Sequence, residues 1–406
     1  MKRVVITGLG IVSSIGNSVR DVLDALQSGH CGMRYMPEMD RLGYRCCVYA
    51  PVEALDTSDI PSKSRRDLST AAIYALVAAR QAVADAGLEN SDLVSPRVGA
   101  IIGTGAGGIS QVDALECAGR TGRTAHPAGI VKVMNCCAAA SIATHFGLRG
   151  RISSLSAACA TGLYNIGHAY ELLAMGIGDL DIVISGSAEE DTWKWVGLSA
   201  DNSNGMPYDY NHRPREACRP YDRDRQGLVM SAGGGILVLE TLEHARKRGA
   251  NIYAEVVGYA AANDGADMFL PNGDAMRRSL RSALHQAAML GVNHIDYINP
   301  HGAGTLQGDI VEAQVIAEVL GKQPLVASTK SISGHAQGGA AAQEAVFMCA
   351  MLHHKFIAPT LNLVNIDPAC AGIHHVQALV EQPLQTALTM NNGLGGVNAA
   401  MVVRKL

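Results

Sequence analysis

The chain has 406 residues, which is large for one domain and suits two joined units. Its 48% hydrophobic and 17% charged residues are typical of a globular protein with a large core, and its net charge of −4 excludes a global basic field for nucleic acid. No stretch reaches the roughly 20 continuous apolar residues of a membrane span. The ten cysteines show no zinc spacing and no secreted disulfide framework, so we predict a metal-free protein of the reducing cytoplasm.

Short β-branched runs alternate with helical patterns along the whole chain, which predicts α/β units with largely parallel sheets. The predicted strands are 4–7, 98–102, 182–185, 236–240, 251–259, 297–298, 326–327 and 400–403. A charged helical segment at 242–249 favours a boundary near residue 250, so we predict domains 1–250 and 251–406. Each half then opens with a strand and could be a copy of one unit, although identity between the halves is too low to prove a repeat.

Cys159 lies between a β-like run at 152–155 and an amphipathic helical pattern that begins at Thr161. Small residues on both sides allow a sharp strand-to-helix turn. The positive end of the helix is expected to lower the pKa of the thiol and to stabilise the thiolate. A thiolate in such a position can act as a covalent acyl-enzyme nucleophile. The alternative is that Cys159 is one buried cysteine among ten.

Two distant segments favour the nucleophile. Residues 299–309 follow a predicted strand and place His301 in a glycine-rich turn before a helical pattern at 310–320. Residues 329–344 repeat this arrangement with His335. One histidine beside glycine is usually structural, but one cysteine and two histidines at three equivalent corners form a catalytic set.

These three segments, in this order, resemble the elongating β-ketoacyl-acyl-carrier-protein synthases, closest to synthases I and II. Further matches extend the resemblance over the whole chain, at 2–10, 96–99, 219–227, 264–267 and 392–399. The resemblance implies the thiolase fold, with two similar halves in five layers, α-β-α-β-α. It also implies a homodimer, with a heterodimer of related subunits as the alternative. We expect the insertion at 192–219 to cap the site.

The resemblance also implies roles for individual residues. Cys159 would carry the acyl chain, and His301 and His335 would bind the malonyl thioester and assist the loss of its carboxylate. Lys330 and Glu344 would support this network, and the backbone N–H groups of Cys159 and Leu394 would form an oxyanion hole. The substrates would arrive on the phosphopantetheine arm of an acyl carrier protein, without another cofactor. Basic residues predicted to dock that acidic partner are Lys63, Arg65, Arg66, Arg120, Arg123 and Lys132.

The chain departs from the family pattern in the predicted substrate pocket. Ala303 and Thr305 stand where the family has two threonines, so one hydroxyl for the pantetheine arm is missing. The family motif Asn-Ser-Phe-Gly-Phe-Gly-Gly-Thr-Asn corresponds to residues 390–398, which contain no phenylalanine. The residues at the positions of the lost phenylalanines are Ser199, Leu228, Asn392 and Leu394.

Because each phenylalanine fills a large share of such a cavity, we expect a wider and more polar pocket. That pocket favours a stiff, bulky or partly polar acyl chain, such as those of polyene or aryl-polyene pathways. Ordinary fatty-acid elongation remains open if other residues compensate. A chain-length-factor subunit would lack the nucleophile, a biosynthetic thiolase would carry a second cysteine near the C-terminal turn, and synthase III uses Cys-His-Asn. A lipid-binding or scaffold role remains only if the thiol is inert.

Overall fold

The computed structural model describes all residues from 1 to 406 and contains strands β1–β15 and α-helices α1–α15. The strands are β1 Val4–Val12, β2 Arg34–Tyr35, β3 Val48–Tyr49, β4 Val98–Gly103, β5 Ile152–Ser153, β6 Ile182–Glu189, β7 Gly233–Thr241, β8 Ala254–Asn263, β9 Tyr297–Asn299, β10 Leu325–Val326, β11 Phe356–Ile357, β12 His374–His375, β13 Val380–Glu381, β14 Thr386–Gly393 and β15 Val397–Arg404. The helices are α1 Val19–Ser28, α2 Pro37–Arg41, α3 Ser62–Arg66, α4 Thr70–Asp85, α5 Asn90–Leu93, α6 Ser110–Thr121, α7 Gly129–Val133, α8 Cys137–Phe146, α9 Thr161–Met175, α10 Leu198–Asn202, α11 Leu242–Lys247, α12 Asp274–Met289, α13 Gly308–Leu320, α14 Lys330–Ser333 and α15 Ala340–His354.

Eleven strands form one sheet in the order β12-β10-β9-β14-β15-β8-β1-β7-β6-β4-β5. The first half contributes β5-β4-β6-β7-β1 and the second half contributes β10-β9-β14-β15-β8, with β12 added at its edge. Counted along each half, both orders are 3-2-4-5-1, and each pair has the same direction as its counterpart. The chain therefore consists of two copies of one topology, which the sequence alone did not establish.

The sheet is mixed, so the prediction of largely parallel sheets was wrong. The two outer strand pairs of each half are parallel, whereas β1 pairs antiparallel with both β7 and β8. The reason is that β6 leads into β7 through the segment that contains α10, and β14 leads into β15 through a short turn. Neither connection is a helical crossover packed on the sheet, which would return the chain to the same direction. The two halves meet where Val4–Ile6 of β1 pairs with residues 254–256 of β8.

The helices form three layers around the two halves of the sheet. Helices α4 and α8 cover the first half on its outer face, and α12 packs on the outer face of the second half. Helices α9 and α15 pack against each other and against strands of both halves, which makes them the central layer of five. Three hydrophobic clusters fill the interfaces between these layers. Helix α15 is buried nearly all round, and most of its buried residues are apolar, with Gln343 and Glu344 as the polar exceptions.

The central helices cross closely where the first half supplies Gly162 and the second supplies Ala342. A Cβ atom on Gly162 would lie 2.3 Å from the backbone nitrogen of Ala342, so only glycine allows this approach. Residues 192–219 pack over residues 31–50 around a separate hydrophobic cluster that includes Trp193 and Tyr210. None of the helices has both the length and the apolar character needed to cross a membrane.

Candidate active site

Cys159 lies in the sharp turn that connects β5 to α9, as predicted. Ala158 adopts a positive φ of 46°, a strained conformation for a residue with a side chain. The Thr161 hydroxyl accepts a hydrogen bond from the Ala157 N–H at 2.9 Å and donates to the Ala158 carbonyl at 2.6 Å. The side chain of Asn165, one turn into α9, bonds to both backbone groups of Leu155. The turn is therefore held from both of its ends.

The electrostatic environment of Cys159 differs from the sequence prediction. Burial raises the pKa of its thiol to about 11, although the Lys330 ammonium acts in the opposite direction. The prediction of a lowered pKa was wrong, because desolvation of the thiolate outweighs the nearby positive charge. To act as a nucleophile, the Cys159 thiol must therefore lose its proton to a neighbouring base or to a group of the substrate complex.

His301 lies in the loop between β9 and α13, and two acidic residues of that helix hold the loop. Glu312 accepts hydrogen bonds from the backbone N–H of His301 at 2.7 Å and of Gly302 at 2.8 Å. Asp309 accepts from the N–H groups of Gly304 and Thr305. The sequence analysis missed both acids, although their position at the first turns of a helix directly after the loop is a detectable signal.

The two histidine rings lie edge to face, with centroids 5.1 Å apart. Burial and the Lys330 ammonium hold the pKa of each ring well below its ordinary value, and the contact between the rings lowers that of His335 further. Both rings are therefore neutral at physiological pH, and each has one nitrogen that donates and one that accepts.

His335 lies between α14 and α15, and its backbone pairs with the segment that follows the cap. Its N–H donates to the Val229 carbonyl at 2.8 Å, and its carbonyl accepts from Ser231 at 2.9 Å. The side chain is buried, and its Nδ1 atom has no hydrogen-bond partner in the protein. The other ring nitrogen is thus the one available for a substrate.

Lys330 and Glu344 form a buried network behind the histidines. Lys330 Nζ donates to Glu344 Oε1 at 2.5 Å and to the His301 carbonyl at 2.7 Å. Asn391 on β14 completes the network, since it contacts Glu344, Lys330 and His301. Sequence analysis missed Asn391, because nothing in its local pattern distinguishes a buried network asparagine from a strand residue.

One cavity of about 510 Å³ brings the predicted site residues together. Its walls include the nucleophile, both histidines and the five predicted pocket residues, namely Cys159, His301, His335, Ser199, Leu228, Thr305, Asn392 and Leu394. Further polar side chains also contribute, including Ser203, Asn204 and Gln226. The cap segment supplies part of the wall, as expected for residues 192–219. Lys330 and Glu344 lie behind the wall and do not line the cavity.

The mouth of the cavity contains an apolar segment that the sequence analysis did not assign to it. Met268, Phe269 and Leu270 line the cavity, and Phe269 is 75% exposed. The Met268 carbonyl accepts a hydrogen bond from Gly395 at 2.9 Å, which ties this segment to the turn that carries Leu394. Leu394 itself is 54% exposed, so it lies at the mouth and not deep in the pocket. One aromatic side chain thus remains at the cavity.

The β14–β15 turn approaches the nucleophile closely. A Cβ atom on Gly393 would lie 2.8 Å from the Cys159 backbone nitrogen, which explains why the turn needs glycine there. The neighbouring Leu394 backbone therefore lies beside the nucleophile turn, and its role in an oxyanion hole stays a prediction.

The six predicted docking residues lie outside the cavity, on α3, α6, α7 and the segment after α6. Lys63, Arg66, Arg120 and Arg123 are exposed, whereas Arg65 and Lys132 are half-buried. His126 lies 3.8 Å from Asp67, next to Arg66, so the two basic clusters lie on adjoining surfaces.

Comparison with known proteins agrees with this architecture. Residues 1–245 match the family described as "Beta-ketoacyl synthase, N-terminal domain", and residues 253–364 match the corresponding C-terminal domain. The 3-oxoacyl-[acyl-carrier-protein] synthase 1 of Escherichia coli K12 is 41% identical, with 100% of both chains covered.

Solved structures give the same result. A β-ketoacyl synthase from Burkholderia phymatum STM815 has a TM-score of 0.94 at 34% identity, covering 100% of both chains. The ishigamide ketosynthase/chain length factor has a TM-score of 0.91 at 31% identity, covering 100% of this chain and 99% of that one. A type II polyketide-synthase acyl-carrier protein in complex with its ketosynthase has a TM-score of 0.86 at 30% identity, with 100% and 99% covered. With its thiolase fold and its full-length matches, this chain belongs to the β-ketoacyl synthase family.

Proposed function

We propose that the protein catalyses decarboxylative Claisen condensation between an acyl chain on Cys159 and malonyl-acyl-carrier protein. The observation that carries this proposal is that Cys159, His301 and His335, from three strand-to-helix corners, line one cavity. The names of the relatives, as synthases acting on acyl-carrier-protein substrates, support it.

In the first step, Cys159 sulfur attacks the acyl thioester, and the carrier thiol leaves. The malonyl thioester then binds with its carbonyl toward His301 and His335, and its carbon–carboxylate bond breaks to release carbon dioxide. The electron pair left on the α-carbon attacks the acyl carbonyl carbon, and the bond to the Cys159 sulfur breaks to give β-ketoacyl-carrier protein. The backbone N–H groups of Cys159 and Leu394 would stabilise the oxyanion of each tetrahedral intermediate.

We further propose a specialised pathway of the polyene or aryl-polyene type. The polar residues of the cavity wall and the absence of phenylalanine at positions 228, 392 and 394 support a stiff or partly polar chain. The likeness to synthase 1, together with Phe269 at the mouth, favours ordinary fatty-acid elongation as the second candidate. A panel of carrier proteins loaded with conjugated and saturated chains, followed by mass spectrometry of the acyl group on Cys159, separates the two. Exclusive trapping of saturated chains would refute the specialised pathway.

The chain-length-factor alternative is less well supported. Such a subunit lacks a nucleophile, whereas this chain places Cys159 in the cavity with both histidines. Failure of any loaded carrier protein to acylate Cys159 in the folded protein would favour that alternative or a scaffold role. The proposed cytoplasmic location rests on the sequence, whose ten cysteines show no spacing of a secreted disulfide framework.

We also propose that a second copy of the chain covers the edge of the sheet at β5. β5 has no neighbouring strand on its outer side, and α6 has no buried residue. Apolar side chains are exposed on α6, on β5 and on the segment around α7. These side chains are Val112, Ile130, Val131, Met134 and Ile152. Sedimentation equilibrium should show a dimer for the protein and a monomer for an Ile130→Glu/Met134→Glu variant. A monomeric wild type that dimerises only with a related subunit would indicate the heterodimer instead.

A further inference from the structure

We propose that Asn391 is a positioning residue that fixes the proton of His301 on Nδ1 and so reserves Nε2 as a hydrogen-bond acceptor. The inference rests on the proposed function and assigns a role to a residue outside the cavity wall. Asn391 lies on β14, paired with Ala399 of β15, and its side chain is buried. In the family motif given above, serine occupies this position.

The amide of Asn391 contacts three polar groups of the buried network. Its Oδ1 atom lies 3.0 Å from His301 Nδ1 and 3.4 Å from Lys330 Nζ. Its Nδ2 atom donates to Glu344 Oε2 at 2.8 Å. The other oxygen of Glu344 accepts from Lys330 at 2.5 Å.

These contacts allow only one orientation of the amide. If the amide were turned over, its oxygen would face the Glu344 carboxylate and its NH₂ group would face the Lys330 ammonium, so both contacts would become repulsive. Asn391 therefore presents an acceptor to His301. Because an acceptor faces Nδ1, that nitrogen must carry the proton, and the neutral ring keeps its lone pair on Nε2.

His335 has the opposite arrangement. Its buried Nδ1 atom has no partner, and a buried N–H without a partner is rarer than a buried acceptor without one. The proton of His335 is therefore on Nε2. The two rings, 5.1 Å apart, thus offer the cavity one acceptor and one donor. The donor can bind the malonyl thioester carbonyl, and the acceptor can accept a hydrogen bond from a water molecule beside the carboxylate that is lost.

The test compares Asn391→Leu, which has similar volume and no polar group, with Asn391→Asp and with the surface change Asn293→Leu. Nitrogen-15 spectra of histidine-labelled protein should show the Nδ1–H form of His301 in wild type and in Asn293→Leu, and a mixture of forms in Asn391→Leu. Malonyl decarboxylation should fall about 10- to 100-fold in Asn391→Leu, a range typical of lost orienting contacts, with a smaller loss in acyl transfer to Cys159.

Asn391→Asp keeps the acceptor toward His301 but replaces the Nδ2 donor with a carboxylate oxygen beside Glu344. The added negative charge should retain the Nδ1–H form and move the acid limb of decarboxylation to higher pH, while the repulsion from Glu344 should lower the stability of the fold. If His301 keeps its Nδ1–H form in a folded Asn391→Leu protein, the inference is wrong. It is also wrong if Asn391→Leu slows both steps equally. Because the spectra need no turnover, a wild-type protein that forms no acyl-enzyme would instead refute the proposed function.

Discussion

Lys330 and Glu344, 14 residues apart in sequence, form an ion pair at 2.5 Å, and each residue is only 1% exposed. Helix α14 provides the ammonium and helix α15 provides the carboxylate. Burial raises the pKa of Glu344, and the Lys330 ammonium opposes that shift. A buried pair of this kind is stable only while both partners remain.

Lys330→Met and Glu344→Leu are therefore each expected to reduce the free energy of unfolding by about 3–5 kcal/mol, because each leaves an uncompensated buried charge. The double variant should lose less than the sum of the two. Chemical denaturation of the four proteins measures this coupling. Strict additivity would show that the two charges do not interact.

Cys159→Ala is expected to abolish condensation and to leave the fold intact, because a small side chain suits a turn flanked by alanines. Cys136→Ala, at an exposed cysteine, is the matched control and should retain activity. In wild type, alkylation of Cys159 by iodoacetamide should accelerate throughout roughly pH 7 to 9, since the pKa of the thiol is about 11. An alkylation rate that levels off near neutral pH would show that the pKa of the thiol is not raised. Normal elongation by Cys159→Ala would show that Cys159 is not the nucleophile.

His301→Ala and His335→Ala are expected to impair malonyl decarboxylation more than acylation of Cys159, because the rings face the malonyl thioester in the second step. Single-turnover acyl transfer and carbon dioxide release measure the two steps separately. Since both ring pKa values are held well below their ordinary value, wild-type decarboxylation should decline with acid only below about pH 6.5. Equal losses in acylation and in decarboxylation would show that the two histidines are not specific to the decarboxylation step.

Charge reversal at Lys63 and Arg66 is expected to raise the apparent KM for carrier-bound substrate and to weaken its salt dependence. Small thioester substrates, which make no contact with this surface, should react as before. Arg246→Glu/Lys247→Glu, on the exposed part of α11, makes the same change in charge elsewhere and serves as the control. If both double variants behave alike, the effect comes from net charge, and the carrier docks elsewhere.

Leu394→Phe is expected to narrow the cavity mouth, where Met268 bonds to the same turn and Phe269 already contributes an aromatic ring. Because residue 394 is exposed at the mouth, the larger ring should obstruct the entry of rigid or aryl-capped chains, which would appear as a lower kcat/KM for those chains. Short saturated chains should be spared. Equal losses for matched saturated and conjugated acyl-carrier substrates would support ordinary fatty-acid elongation.

The three corners of the site could be predicted from sequence, because each joins a β-branched run, a turn of small residues and a helical pattern within one local segment. The predicted helix at 310–320 and the start of α9 at Thr161 agree with the structure. The direction of the strands could not be read this way, because it depends on whether the chain before β7 and before β15 crosses back over the sheet.

The sequence pattern also could not reveal contacts between distant segments. Asn391 acts through groups 47 to 90 residues away, and the segment with Phe269 reaches the cavity through a backbone hydrogen bond to Gly395. The pKa of Cys159 was mispredicted for a related reason. The local helix terminus was visible in the sequence, but the burial that outweighs it arises only in the folded chain.

The repeated strand order places Cys159 and His335 at equivalent corners, since each follows the third strand of its half and precedes a helix of the central layer. In a symmetrical pair of identical half-length chains, both corners would carry the same residue. Joining the halves in one chain removes that restriction, so one corner can hold a nucleophile while its counterpart handles hydrogen bonds to the second substrate. The asymmetry of the reaction thus depends on the covalent link between two structurally equivalent units.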